Sequence, residues 1–147
     1  MKLILGSDHA GFALKEYIKK SLDKSKIKYE DLGPKSLIKD DDYPVYAAKV
    51  AKKVGKNKAL KGVLMCGNAQ GICIAANKIK GARAAICYDS YTARTSRQDD
   101  DANIICLRGR KFAHSKAVKI LKVWLKTPFS RKPRHERRLK EIEKLEK

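Results

Sequence analysis

Short apolar runs of strand length alternate with amphipathic helical stretches along this chain, and that alternation limits its fold more than any single motif does. The strand-like runs are residues 2–7, 28–32, 62–66, 82–88 and 103–107. Between them, Leu14, Tyr17, Ile18 and Leu22 recur at helical spacing, as do Ala47, Val50, Ala51 and Val54, and then Ala117, Ile120, Leu121, Trp124 and Leu125. Near-continuous apolar strands joined by helices imply a parallel sheet covered on both faces, with right-handed crossovers. The expectation is an α/β fold, a five-stranded parallel doubly wound sheet. With 147 residues and 43% hydrophobic content, the chain suits one domain over 1–147. Pro128 and Pro133 set off residues 128–147 as a C-terminal helical extension, with Leu139, Ile142 and Leu145 about three apart, expected to reach a partner subunit.

In such a sheet, ligands bind at the carboxyl ends of the strands, near the point where the strand order reverses. Three strand ends carry chemistry: Ser7-Asp8-His9, the stretch from Cys66 to Gly71, and Tyr88-Asp89. The second is the most informative. It sets Cys66 on a glycine-bracketed turn, CGNAQG, between an apolar strand and the helix-like ICIAAN. Gly67 and Gly71 suit unusual backbone angles or close ligand approach, and the amides of a strand-to-helix turn favour an anion there. The expected consequence is a Cys66 thiol of lowered pKa, serving as base or nucleophile. Cys73, Cys87 and Cys106 lie in apolar runs and read as core residues.

His9 beside Asp8 offers an imidazole to a sugar hydroxyl or a phosphate; the plain alternative is an Asp helix cap followed by an exposed His. Arg134 and Arg138, four apart, share one helix face and suit one phosphate, although basic residues so spaced usually only solvate a face. The run Asp99-Asp100-Asp101 lacks the further oxygen ligands of a cation loop, so no metal site is expected.

The net charge of +19 fits a nucleic-acid binder, an anionic surface, a phosphorylated substrate or simply a lysine-rich surface. Few aromatics stand among the lysines and no recognition motif appears, so no specific nucleic acid is expected. Four cysteines without CxxC spacing argue against zinc and disulfides, and no apolar run is long enough for a membrane span. A cytoplasmic location and no membrane partner follow.

GSDHAG, DYP, GVLMCG with Gly71, IAANK, GARAA, TARTSR, DAN and LRGR occur in the order found in the ribose-5-phosphate isomerase B and galactose-6-phosphate isomerase family. The chain resembles that family from Lys2 to about Arg138. The resemblance implies a Rossmann-like sheet, a homodimer or dimer of dimers with shared active sites, and cofactor-free interconversion of ribose 5-phosphate and ribulose 5-phosphate. An allose or galactose 6-phosphate, or a non-catalytic sugar-phosphate-binding subunit, is the alternative. By the same resemblance, Cys66 is the base of a cis-enediolate mechanism, and the amides of Gly67, Asn68, Ala69, Gln70 and Gly71 stabilise the enediolate. Asp8, His9, Tyr43 and Asp100 are substrate-binding positions, and Arg110, Arg134 and Arg138 hold the phosphate, the last two in the partner's site. Two departures stand out. Asn68 and Ala69 replace the threonine and glycine of CGTGxG, and Asp99-Asp100 replace the His-Asn of HNDAN, leaving Asp99 at the position credited with opening the sugar ring.

Overall fold

The computed structural model describes residues 1–146. Five strands, β1 (Lys2–Ser7), β2 (Tyr29–Asp31), β3 (Leu60–Cys66), β4 (Ala84–Ile86) and β5 (Ile104–Arg108), form one all-parallel sheet in the order β2-β1-β3-β5-β4. Six helices connect and cover it: α1 (Phe12–Lys24), α2 (Tyr43–Gly55), α3 (Gln70–Ala76), α4 (Ser90–Gln98), α5 (His114–Lys126) and α6 (Pro133–Lys144). Among the described residues no helix is long and apolar enough to cross a membrane.

Side chains on a strand point alternately to opposite faces, so a doubly covered sheet needs apolar residues at every position. Leu3, Leu5, Val63, Met65, Ile105 and Leu107 enter one layer, with Leu14, Ile18 and Leu22 of α1, Ala93 of α4, and Ile120, Leu121 and Trp124 of α5. Ile4, Leu64, Cys66, Ile104 and Cys106 enter the other, under α2 and α3. All four cysteines are free and buried.

The outer elements depart from the sequence reading. Residues 82–88 hold only the three-residue β4, and 28–32 hold the equally short β2, because each is an edge strand with a single paired neighbour. Helix α4 had no apolar stripe to announce it, since it buries only Ala93, Ser96 and Arg97. What starts it is Asp89, whose carboxylate accepts the Thr92 backbone N–H while the Thr92 hydroxyl returns to the cap, a reciprocal box. Asp89 therefore caps a helix and Tyr88 is exposed; this strand end does not join the others. The acidic run also disperses. Asp101, in a left-handed conformation (φ 42°), bridges Arg83 at 3.1 Å and Arg97 at 2.7 Å.

The C-terminal extension becomes helical at Pro133, not at 128, and Lys147 lies outside the described residues. Within the chain α6 lies against its own body: Ser130 donates its backbone N–H to the Gln98 carbonyl, and Glu146 accepts the Gly81 N–H at 2.8 Å. Ile142 and Leu145 stay exposed.

The centre of the sheet is tightest where β1 ends. Its chain turns through one 3-10 turn, His9–Gly11, pressed on the end of β3. A Cβ on Gly11 would lie 2.2 Å from the Met65 carbonyl oxygen, a contact no side chain tolerates. Gly11→Ala is expected to cost about 2 kcal/mol, at the level of core overpacking. Urea unfolding checks this, and an unchanged midpoint would mean that the turn and β3 are not held in such close contact.

Candidate active site

Connections from β1 and β3 leave the sheet in opposite senses, which opens a crevice between their carboxyl ends. A cleft of about 270 Å³ sits there, lined by Asp8, His9, Ala10, Tyr43, Cys66, Gly67, Asn68, Gln70, Gly71 and Arg110. Four elements meet in it: the turn after β1, the start of α2, the turn after β3, and the segment following β5. Thus two of the three strand ends expected to carry chemistry converge, and the end of β5 replaces that of β4.

Cys66 ends β3 with its thiol donating to Asp8 Oδ2 at 3.2 Å, while Asp8 Oδ1 accepts the Gly11 N–H at 3.0 Å. This geometry overturns the expectation of an acidified thiol. Burial, and then repulsion from the Asp8 carboxylate, push Cys66 up to about 11, and the Gly67 and Asn68 amides only partly offset them. At neutral pH a free thiolate is then on the order of one molecule in 10,000. An isolated thiolate is not the resting form. A proton acceptor is nevertheless already in contact with the sulfur.

The turn from Cys66 to Gly71 works differently from its reading as a glycine loop. Neither Gly67 nor Gly71 has positive φ; the left-handed residue is Ala69 (φ 66°), buried at the cap of α3. The family glycine's position is therefore kept in shape by an alanine, at a backbone cost of about 1–2 kcal/mol that its packing must offset. The two glycines serve close approach instead. A Cβ on Gly71 would fall 2.6 Å from the Tyr43 ring, and one on Gly67 would fall 3.0 Å from the Arg110 guanidinium. Both large side chains lie directly on the turn because no methyl group stands in the way. Arg110 is further tied in by its backbone N–H, which donates to the Gly67 carbonyl at 3.0 Å.

His9 does not stand free beside Asp8. Its ring Nδ1 lies 2.9 Å from Asp41 Oδ1, and its backbone N–H donates to the same oxygen at 2.6 Å. The Asp41 hydrogen bond, against slight burial and with help from Asp8, raises the imidazole above its ordinary value. Burial works against the Asp41 charge, but the two His9 donors outweigh it and hold the carboxyl low. No sequence motif singles out Asp41. The one signal was three carboxylates directly before Tyr43-Pro44.

The remaining expected site residues form a second cluster outside this cleft. Asp99 Oδ1 lies 3.7 Å from Nδ1 of the buried His135, whose other ring nitrogen is 3.1 Å from Arg134 Nε. Burial and the neighbouring Asp99 raise Asp100, while His135 and Arg138 pull it down. Asp99, Asp100, Arg134 and Arg138 are therefore neighbours of one another, at the end of α4 and the start of α6, and not of Cys66 in the same chain. Among the described residues no group of His, Cys, Asp or Glu is arranged to hold a metal ion.

Comparison with known proteins agrees with this geometry. A family model described as ribose/galactose isomerase matches residues 3–142. The probable ribose-5-phosphate isomerase B of Mycoplasma genitalium is 41% identical over 146 residues, covering 99% of this chain and 95% of that protein. Ribose-5-phosphate isomerase B of Mycolicibacterium paratuberculosis is 37% identical, covering 95% of this chain and 87% of that one. Among solved structures, a ribose 5-phosphate isomerase from Thermotoga maritima superposes with a TM-score of 0.93 at 42% identity, covering 98% of each chain. The M. genitalium enzyme, solved with bound ribulose-5-phosphate, gives 0.92 at 40% identity, covering 97% of this chain and 94% of that one. Matched by the family model over residues 3–142 and by these relatives in sequence and fold over nearly its whole length, the chain belongs to the ribose/galactose isomerase family.

Proposed function

We propose that this protein interconverts ribose 5-phosphate and ribulose 5-phosphate through a cis-enediolate, with Cys66 as the base acting together with Asp8. The observation that carries the reading is the thiol–carboxylate contact in a cleft that also holds His9, Tyr43, Arg110 and the amides of the 67–71 turn. The relatives' names supply the substrate.

Aldose–ketose exchange moves one proton between adjacent carbons. Cys66 sulfur takes the proton from C2 of the open-chain aldose as its own thiol proton passes to Asp8 Oδ2. The electron pair left on carbon flows to the carbonyl oxygen, and amides of the turn stabilise the resulting enediolate. The sulfur returns the proton to C1 while the C2 hydroxyl proton moves to the C1 oxygen, so that C2 becomes the carbonyl, and Asp8 returns its proton to the sulfur. Protons balance, and a base of high pKa suffices because the thiolate never stands alone. The step needs no redox cofactor, since no electron leaves the substrate.

The cleft holds a single arginine, Arg110, for a dianionic phosphate. Arg134 and Arg138, with Asp99 and Asp100, serve the cleft of a second copy in a homodimer or dimer of dimers. There Asp99, as a carboxylate, accepts the proton that the anomeric hydroxyl loses when the sugar ring opens. The high positive charge favours phosphorylated substrates over neutral sugars.

The isolated chain, assayed without added metal against pentose 5-phosphates and hexose 6-phosphates, is expected to turn over ribose 5-phosphate fastest. Binding without turnover would favour a non-catalytic subunit. Cys66→Ala should lose roughly a hundredfold or more in kcat while keeping its circular dichroism, as removal of a general base requires. Wild-type rates in that variant would remove Cys66 from the mechanism.

Shared sites make a separate forecast. Cys66→Ala and Arg138→Ala, each impaired alone, should recover roughly a quarter of the wild-type rate after mixing and subunit exchange, because half of the dimers then carry one intact site. No recovery would place the arginine in its own chain's site. The Cys66–Asp8 pair is tested by alkylation at pH 8. Asp8→Asn removes the carboxylate that raises the thiol, so iodoacetamide should label Cys66 faster while isomerisation falls. An unchanged labelling rate would show that Asp8 does not control the sulfur.

A further inference from the structure

The pairing of His9 with Asp41 is built more tightly than a surface contact requires. One carboxylate oxygen receives both the ring and the backbone of His9, at 2.9 and 2.6 Å. The Asp41 side chain is only 6% exposed, and the Tyr46 hydroxyl stands close to it. Asp40, in a left-handed conformation (φ 58°), turns the loop so that Asp41 faces the 3-10 turn after β1. A carboxylate this enclosed is costly unless a cation stands beside it. An imidazolium at His9 meets that need: Asp41 raises the ring above its ordinary value, and Nδ1–H faces the Asp41 oxygen. Nε2–H is left for the cleft that His9 lines.

Ribose 5-phosphate exists largely as a five-membered ring, which must open before C2 can lose its proton. Opening needs a proton on the ring oxygen. The groups around the His9 ring are Asp8 from its own turn, Asp41 from the β2–α2 loop, Tyr43 and Tyr46 from α2, Cys66 from β3 and Arg110 after β5. Asp8 already accepts from Cys66 and Gly11. The thiol is pushed far above neutrality, and a guanidinium does not release a proton in a protein. Imidazolium is the side-chain acid whose ordinary titration range brackets neutral pH.

Resting on the ribose-5-phosphate reading above, we propose that His9 is the acid that opens the sugar ring and that Asp41 is its positioning residue. The Nε2–H proton passes to the ring oxygen. The C1–O bond breaks with its electron pair on that oxygen, which becomes a hydroxyl. The anomeric hydroxyl forms the carbonyl as its proton leaves to the Asp99 carboxylate of a second copy. His9 is left neutral and is reprotonated from solvent before the next turnover.

Two reactions separate ring opening from enolisation. Turnover of ribose 5-phosphate needs both. Deuterium exchange into C1 of ribulose 5-phosphate needs only enolisation, because phosphorylation of its terminal oxygen leaves that ketose permanently open. At saturating substrate, His9→Gln should lose roughly a hundredfold in ribose 5-phosphate turnover and retain exchange into ribulose 5-phosphate. In Asp41→Asn the fall of turnover at rising pH should begin at lower pH than in the wild type, because the carboxylate that keeps His9 charged is gone; Asp41→Glu should restore part of the difference. Equal loss of both reactions in His9→Gln, or unchanged turnover, overturns the acid role. An unmoved basic limb in Asp41→Asn overturns the positioning role, and that profile decides alone if His9→Gln does not fold. A wild-type protein with neither reaction would instead sink the substrate assignment itself.

Discussion

The close contact between the turn after β1 and the end of β3 is the constraint on which the site depends. These strands are neighbours at the middle of the sheet, paired from Lys2 with Leu60 to Ser7 with Met65. Because they run parallel, both end on the same side. Because Gly11 carries no side chain, the two ends meet without a gap. Asp8 and Cys66, 58 positions apart in the chain, are thereby brought into hydrogen-bond contact. A bulkier residue at position 11 would separate the carboxylate from the sulfur by moving backbone.

A second set of contacts fixes the loop between β2 and α2, which closes one side of the cleft. At its near end the wholly buried Lys15 donates to both oxygens of Asp31, at 2.9 and 2.7 Å, and to the Pro34 carbonyl at 2.6 Å. Such a lysine is tolerated because all three ammonium protons have acceptors. At its far end Asp41 grips His9. The loop is thus tied at one side by the Lys15–Asp31 ion pair and at the other by the partly buried His9–Asp41 contact, which joins it to the turn that carries Asp8 and His9. Loops that shape sites are often mobile; this one is fastened by charge in place of apolar packing.

Charge elsewhere is spread and not focused. A broad groove between α1 and α5, bordered by Asp89 and Ser90 at the start of α4, is lined by Lys20, Lys24, Lys116, Lys119 and Lys122 and shares no lining residue with the cleft. Among the described residues none of these five lysines forms a salt bridge with a carboxylate. Within the cleft the balance differs: Arg110 and His9 face Asp8, and the carboxylate of Asp41 stands behind His9. The long-range field draws anions to the whole protein, while the short-range pairs in the cleft determine what chemistry an anion meets there.

The sequence by itself determined the five parallel strands, the two covered faces and the membership of Asp8, His9, Tyr43, Cys66 and Arg110 in one region. Period, apolar runs and motif order are local or linear properties, and residues carry them without any knowledge of the fold. Only the tertiary structure decided the state of the groups. Cys66 read as an acidified thiol from its turn; burial and an Asp8 distant in sequence reverse that. Asp41 has no place among the sequence candidates, because nothing local marks one carboxylate among three as the partner of His9. Asp89 stands at one of the three strand ends expected to carry chemistry and Asp101 in an acidic run expected to hold no metal; they prove to be a helix cap and an arginine bridge. Asp99, Asp100, Arg134 and Arg138 keep one another's company in place of Cys66. In each case the outcome rests on desolvation and on pairing across long sequence separations, and those quantities exist only once the chain has folded.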